Sequence, residues 1–323
     1  MKAIVMERNG DAGVLTYREG IQKPIPAQGQ ALIKIHAAGV NFVDIYQRKG
    51  LYPVTLPYVP GLEASGTIET VEGSTAFKPG DRVAYTGHPG SYSEYTAIKT
   101  DRLIKLPDEL SFVQGASFPL QGMTAHYLLH AYRKPGPGDT VLVHAAAGGV
   151  GGLLVQWAKH LGATVIGTVS TNEKARIAKE TGADHVILYS KDDFVNEVKR
   201  ITNGRGVDIV LDGVGKKTFA GSLEVVAIRG HVVIFGSSSG PSDPIVPNTL
   251  MPKSFTLSGG SLGNFTATRE ELFERSGAVL DGIKERWLKL RIDRVLPLAE
   301  AAEAHRLLEG RKTMGKLVLM VRD

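Results

Sequence analysis

The 323-residue sequence contains no cysteine, which excludes disulfides, thiolate nucleophiles and any metal site built on sulfur. It also lacks a run of about eighteen apolar residues, so no segment reads as a membrane span. The formal charge of +5 is spread along the chain, and acids and bases are interleaved through 173–200 and 269–291. With no dense arginine or lysine block, nucleic acid is not the expected partner. Met1–Glu7 alternates like an edge strand and lacks the charged, apolar and small-residue order of a signal peptide, so a cytoplasmic protein is expected.

What is present suits a large folded protein. The chain exceeds the usual size of one hydrophobic core, which predicts two domains. A hydrophobic share of 42%, a charged share of 22% and 38 glycines indicate a globular protein with many tight turns. The first third reads as short strands and turns, in "QALIKIHAAGV", "SGTIETVEG" and "KPGDRVAY". From about Gln121 the texture changes to apolar strands ("ATVIGTV", "HVILY", "VDIVLDGV", "HVVIFG") alternating with amphipathic segments. That alternation predicts an α/β fold with a doubly wound parallel sheet. Beyond "SFTLSGGSL" a long helix, a further helix at "AAEAHRLLEG" and a closing strand "GKLVLMV" are expected to return to the first domain.

The strand Thr140–His144 runs into Ala145-Ala146-Ala147-Gly148-Gly149-Val150-Gly151-Gly152 and then the helical "LLVQWAKHL". Small residues are required where a backbone turns sharply, approaches a pyrophosphate and presents amide hydrogens at the positive end of a helix. Ala146 replaces the first glycine of the usual GxGxxG, while Gly148 and Gly151 hold the second and third places. A dinucleotide site is expected here. Where such a site takes NAD, a carboxylate commonly ends the next strand and bonds the ribose. Here that strand ends at Ser170, followed by Thr171 and, one helical turn on, Lys174. These groups attract a 2′-phosphate where a carboxylate repels it, so NADPH is the expected cofactor.

Six segments, "GVNFVDIYQRKGLYP", "VPGLEASGTI", "KPGDRVAY", "QGMTAHYLL", "HAAAGGVGG" and "FGSSSG", together resemble the zeta-crystallin-like quinone oxidoreductases, a zinc-free branch of the medium-chain dehydrogenases/reductases. The resemblance covers essentially the whole chain. It implies a Rossmann domain over 121–265 and a β-rich, GroES-like catalytic domain over 1–120 and 266–323. Zinc members of the superfamily carry a cysteine after the AxG strand and a Gly-His-Glu segment. Here Asn41 and Leu62 stand at those places and there is no cysteine anywhere, so neither the catalytic nor the four-cysteine structural zinc site of those members can be built and no metal is expected. His126 and His130 have helical spacing but no acidic partner in the metalloprotease pattern, and read as ordinary core or surface residues.

The resemblance further implies an active site with Asn41, Tyr46 and Tyr52 as the catalytic candidates: Asn41 to anchor cofactor or acceptor, Tyr46 to bond the cofactor or a developing oxyanion, Tyr52 to flank a flat ring. Asp44 is left open between function and structure. It places Thr124, Ala146, Gly148, Gly149, Val150, Gly151, Ser170, Thr171, Lys174, Tyr189, Phe235, Gly236, Ser237 and Arg311 around NADPH. Asn264 and Phe265 mark the return crossing, and Lys316 stands behind Arg311 as a cofactor candidate, since a lysine before a closing strand is often only a solvated edge guard. The expected partner is a small quinone or another electrophilic carbonyl; quinones accept reducing equivalents without a strong Lewis acid. Two rivals stand beside this: a reductase of α,β-unsaturated carbonyls, with Tyr46 assisting protonation, and a protein that retains NADPH without catalysis, as a lens crystallin or an RNA binder. A homodimer joined through the "SFTLSGGSL" edge is implied as well.

Overall fold

Alternation builds the first part of the long strand of the first unit. In Gln30–Val40 the side chains of Ala31, Ile33 and Ile35 are wholly buried while Lys34 and His36 are partly exposed, as a period of two requires of a strand with one face in a core; past the register shift between Ile35 and Ala37 every residue through Val40 is buried. The computed structural model describes residues 1–322. These form two units: one of Met1–Leu120, Thr268–Ser276 and the stretch from Ile292 onward, the other of Gln121–Ala267 and Gly277–Arg291.

The first unit holds a seven-stranded sheet. Ile292–Pro297, Lys316–Met320, Gln30–Val40, Glu63–Val71, Arg82–Thr86 and Ile104–Lys105 follow in that order, and Tyr95–Lys99 also pairs with Gln30–Val40. Only the Ile292–Pro297 and Lys316–Met320 pair is parallel. Bulges in the pairing of Gln30–Val40 with Glu63–Val71 increase its twist. Ala3–Val5 pairs with Thr16–Arg18 in a separate ribbon. A short helix, Phe42–Arg48, follows the long strand directly, and Ala301–Glu309 packs its Ala304 and Leu307 into the sheet's core.

The second unit is built on a six-stranded, all-parallel sheet in the order His185–Leu188, Thr164–Val169, Thr140–His144, Val207–Asp212, Val226–Ile234, Thr256–Gly259. Counted along the chain, this is 3-2-1-4-5-6, and the order reverses between Thr140–His144 and Val207–Asp212. Ligands bind at the carboxyl ends of strands beside such a reversal. Leu142, Ile166, Val210 and Val232 of the four inner strands are completely buried, which explains why these strands read as apolar runs. The sheet's last strand, Thr256–Gly259, has a partner on one side only.

His126 and His130 lie within this unit with their rings stacked 4.3 Å apart and nearly parallel. Both meet the Trp157 indole edge-on. Their helical spacing thus serves aromatic packing. Among the described residues no group of three His, Asp or Glu side chains is arranged to hold a metal ion, and no helix is long and apolar enough to cross a membrane.

Candidate active site

At the end of Thr140–His144 the chain turns sharply. Ala145 takes a left-handed backbone conformation (φ 53°), which a non-glycine residue holds only when its surroundings impose it. Gly148 donates its N–H to the Ala145 carbonyl at 2.8 Å and is the N-cap of helix Gly149–His160, whose first turn carries no acidic residue. A methyl group on Gly151 would overlap the Ala145 carbonyl, and one on Gly149 would overlap the Gln121 side-chain amide. The bare first-turn N–H groups therefore sit at the positive end of a helix with nothing but Val150 projecting from the turn, an arrangement that fits a pyrophosphate.

Ala146, the departure from the glycine pattern, is fully buried. Its methyl has room because the neighbouring strand carries Gly167, whose own methyl would come within 2.7 Å of the Ala146 Cβ. The turn keeps its shape because the missing glycine has moved to the next strand.

That strand, Thr164–Val169, ends at Ser170. Thr171 caps the following helix Asn172–Glu180 by accepting the Lys174 N–H on its hydroxyl at 3.2 Å, which leaves the hydroxyl proton available to a phosphate. Tyr189 lies alongside, its N–H on the Val169 carbonyl at 3.1 Å, and Ser190 bonds the Ser170 carbonyl at 2.9 Å. Ser170, Thr171, Lys174 and Tyr189 are thus gathered at adjoining strand ends, and no carboxylate ends the strand itself. Glu173 is the nearest acid in sequence and is exposed.

Phe235, Gly236 and Ser237 follow Val226–Ile234 and are laced to the turn after Val207–Asp212. Phe235 N–H bonds the Asp212 carbonyl (3.0 Å), Ser238 N–H the Gly213 carbonyl (3.2 Å), and the Ser239 hydroxyl the Val214 carbonyl (2.7 Å). Beneath them the buried Asp212 carboxylate accepts from Val214 N–H (2.9 Å), Gly215 N–H (3.0 Å), and the hydroxyls of Thr218 (2.8 Å) and Ser222 (2.9 Å). His144 bridges Ser222 (3.0 Å) and Thr168 (2.8 Å). Burial holds its imidazole below the ordinary range against the opposing pull of Asp212. One polar network thereby fastens the ends of three strands. Thr124, in the same unit, is buried on the helix Pro119–Tyr127.

Asn41, Tyr46 and Tyr52 belong to the first unit, as does Arg311. Tyr46 and Tyr52 meet edge to face with ring centroids 5.4 Å apart, and Tyr52 is 53% exposed. Arg311 closes the turn after Ala301–Glu309 with a left-handed backbone (φ 54°).

Asn41 is engaged inside the protein. Its Nδ2 donates to Glu63 Oε2 (2.9 Å) and, at 3.3 Å, to the Gly39 carbonyl, while its Oδ1 accepts from Lys316 Nζ at 2.7 Å. Lys316 is also 2.5 Å from Glu63 Oε2, and both charged residues are buried. This removes the solvated-edge reading of Lys316: a strand beginning with lysine looks like an edge, but Lys316–Met320 lies between two partners and turns the ammonium inward to a carboxylate. Gly39 makes the pair possible, because any side chain there would overlap the Glu63 carboxylate and the Ala116 carbonyl.

A second buried chain adjoins it. Asp44 Oδ2 accepts from Asn41 N–H (2.8 Å) and the Tyr92 hydroxyl (2.9 Å), and Tyr92 lies 3.2 Å from His305 Nε2. Arg48, fully buried, faces His305 Nδ1 at 3.3 Å and bonds Glu309 at 2.6 Å. Burial pushes the Asp44 carboxyl up to about 7, against the pull of its two hydrogen bonds and Lys316 and with the help of Glu63. Burial beside the Arg48 guanidinium holds His305 down at about 3, hence neutral. Asp44 Oδ1 has no hydrogen-bond partner.

Sequence reading missed Gln121, Asp212, Tyr92 and His305 as site-forming residues, ranked Lys316 behind Arg311 and took Glu63 only as part of a motif. Gly39 and the retained glutamate of Gly61-Leu62-Glu63 were the available signals.

Models of known families match both units: an alcohol dehydrogenase GroES-like domain over residues 27–108 and a zinc-binding dehydrogenase domain over 149–276. The chain is 41% identical to a quinone oxidoreductase of Pseudomonas aeruginosa, covering 99% of each sequence. It is also 41% identical to a 2-haloacrylate reductase of a Burkholderia species, with 98% of each covered. The crystal structure of Escherichia coli quinone oxidoreductase complexed with NADPH superposes with a TM-score of 0.96 at 39% identity, covering 99% of this chain and 100% of the other.

Proposed function

This chain belongs to the quinone oxidoreductase family of the medium-chain dehydrogenases/reductases, and on that premise we propose that it is an NADPH-dependent quinone oxidoreductase working without zinc. The observation that carries the proposal is the turn Ala145–Gly151, which opens helix Gly149–His160 beside the point where strand order reverses. When bound, NADPH supplies the reducing equivalents.

The chain's own residues divide the remaining work. The N–H groups of Gly149, Val150 and Gly151 hold the pyrophosphate, and the side-chain-free Gly148 and small Ala146 let it approach the backbone. Ser170, Thr171, Lys174 and Tyr189 take the adenosine end and its 2′-phosphate. Thr124, Phe235, Gly236 and Ser237 take the ribose and nicotinamide end, and Arg311 adds a basic contact to the cofactor. Asn41 orients the nicotinamide, Tyr52 flanks the flat acceptor and the Tyr46 hydroxyl meets the oxygen on which negative charge develops. Zinc independence is supported by the complete lack of cysteine and by Asn41 and Leu62 standing where the metal-binding members carry ligands.

Anaerobic oxidation of NADPH, with NADH as control, tests the reading against a panel of benzoquinone, 9,10-phenanthrenequinone and an α,β-unsaturated ketone. Consumption with the quinones and a preference for NADPH are expected. A specific observation favours the unsaturated-carbonyl rival as the second reading: the Burkholderia relative is named for a haloacrylate, an α,β-unsaturated carboxylate. Turnover of the enone alone reverses the order, and tight NADPH binding without any turnover moves the protein to a non-catalytic role.

Lys174→Ala is expected to weaken NADPH binding about tenfold, the worth of one charge-assisted contact of about 1.4 kcal/mol, and to leave NADH nearly unchanged. Equal losses for both cofactors remove Lys174 from the 2′-phosphate site. We further propose a cytoplasmic homodimer joined at Thr256–Gly259, which among the described residues has a strand neighbour on one side only. Light scattering is expected to give twice the chain mass, and a monomer contradicts it.

A further inference from the structure

We infer that the buried Glu63–Lys316 pair is a positioning device that fixes the Asn41 side chain as a hydrogen-bond acceptor for the carboxamide N–H2 of the nicotinamide. This rests on the cofactor reading above and gives Lys316 a part in recognition as well as in folding.

The inference follows from what each group is able to do. An ammonium only donates hydrogen bonds and an ionised carboxylate only accepts them, whereas a primary amide does both, from opposite ends. Asn41 lies between the two charges: Oδ1 toward Lys316 Nζ at 2.7 Å and Nδ2 toward Glu63 Oε2 at 2.9 Å. Turning the amide by a half rotation would set its N–H2 against the ammonium and its oxygen against the carboxylate. Two charges thus choose one orientation, and each is held in turn. Glu63 Oε1 accepts the Leu120 N–H at 2.7 Å, and Lys316 lies against Glu63 at 2.5 Å.

In that orientation both Nδ2 protons are spent inside the protein, one on Glu63 and one on the Gly39 carbonyl at 3.3 Å. Asn41 therefore has no donor left for a quinone oxygen. An amide oxygen has two lone pairs, and Lys316 uses one. The second is the hydrogen-bonding capacity that remains on a side chain 3% exposed. A quinone, which carries only acceptors, gains nothing from it; a carboxamide N–H2 does. The assembly is also specific to this strand, since only glycine at position 39 leaves space for the Glu63 carboxylate.

The test reads binding rather than turnover. Dissociation constants are measured for NADPH and for its reduced 3-acetylpyridine analogue, in which a methyl group replaces the amide nitrogen. The wild type is expected to prefer NADPH about tenfold, because the analogue leaves the Asn41 oxygen unmatched. In Glu63→Gln/Lys316→Met, which removes both charges together so that neither is left buried alone, the amide loses its fixed orientation and the preference falls toward unity. Asn41→Leu, which leaves the ion pair intact, must abolish the preference as well. Lys316→Arg is expected to retain it. A wild-type-sized preference in either the folded double variant or Asn41→Leu overturns the inference, as does a wild type that binds both cofactors equally. A wild type that binds neither defeats the cofactor reading instead.

Discussion

Gly151→Val is expected to lower the affinity for NADPH at least about 100-fold, equivalent to about 2.7 kcal/mol, and to remove quinone-dependent oxidation with it. The reason is backbone geometry. Even one methyl group at this position would overlap the Ala145 carbonyl and approach the Ala146 Cα to 3.1 Å, and neither atom belongs to a side chain that can rotate away. Helix Gly149–His160 would have to draw back from its strand, taking the first-turn N–H groups away from the pyrophosphate. Calorimetric titration with NADPH checks this directly. Binding within tenfold of the wild type would mean that the turn is not the phosphate site.

Asp44→Asn is expected to change how stability depends on pH. The folded carboxyl titrates at about 7, against about 4 in the unfolded chain. Below about pH 4 both states hold the proton and the group contributes no pH dependence. Between about 4 and 7 the native state holds one proton more than the unfolded state, so stability falls as pH rises, by up to about 1.4 kcal/mol per pH unit. Above 7 both are ionised, and the accumulated loss levels off at roughly 4 kcal/mol. Asparagine retains an acceptor for Asn41 N–H and the Tyr92 hydroxyl and cannot ionise, so this component disappears. Denaturant unfolding at pH 5 and pH 8 is expected to show a smaller decline in the variant than in the wild type. Parallel declines would show that Asp44 does not carry the dependence.

The features legible in the sequence were those carried by neighbouring residues. The glycine turn, the uncharged end at Ser170 and the apolar inner strands are each contained in fewer than about a dozen consecutive positions, and periodicity or spacing exposes them. Features made by distant residues were not legible. Lys316 meets a carboxylate 253 positions away, and Tyr92 joins Asp44 across 48 positions and His305 across 213. No local pattern tells a buried ammonium from a solvated one. The strand Ile292–Pro297 escaped for another reason: it is a sheet edge of mixed exposure, with Asp293 and Arg294 in its middle, and shows neither alternation nor an apolar run. The positions of Tyr46, Tyr52 and Arg311 came through the resemblance, because a tyrosine in a short helix or an arginine in a turn carries no signal of its own.

The Ala146 and Gly167 contact makes two positions in different strands answerable to one space. A lineage holding glycine at the first place of the turn is free to let position 167 acquire a side chain; once it does, alanine at 146 is closed to it. In this chain the opposite holds, and any side chain at 167 must wait for 146 to shrink first. The two positions therefore have a permitted order of change, and a substitution harmless in one relative is disruptive in another that looks nearly the same.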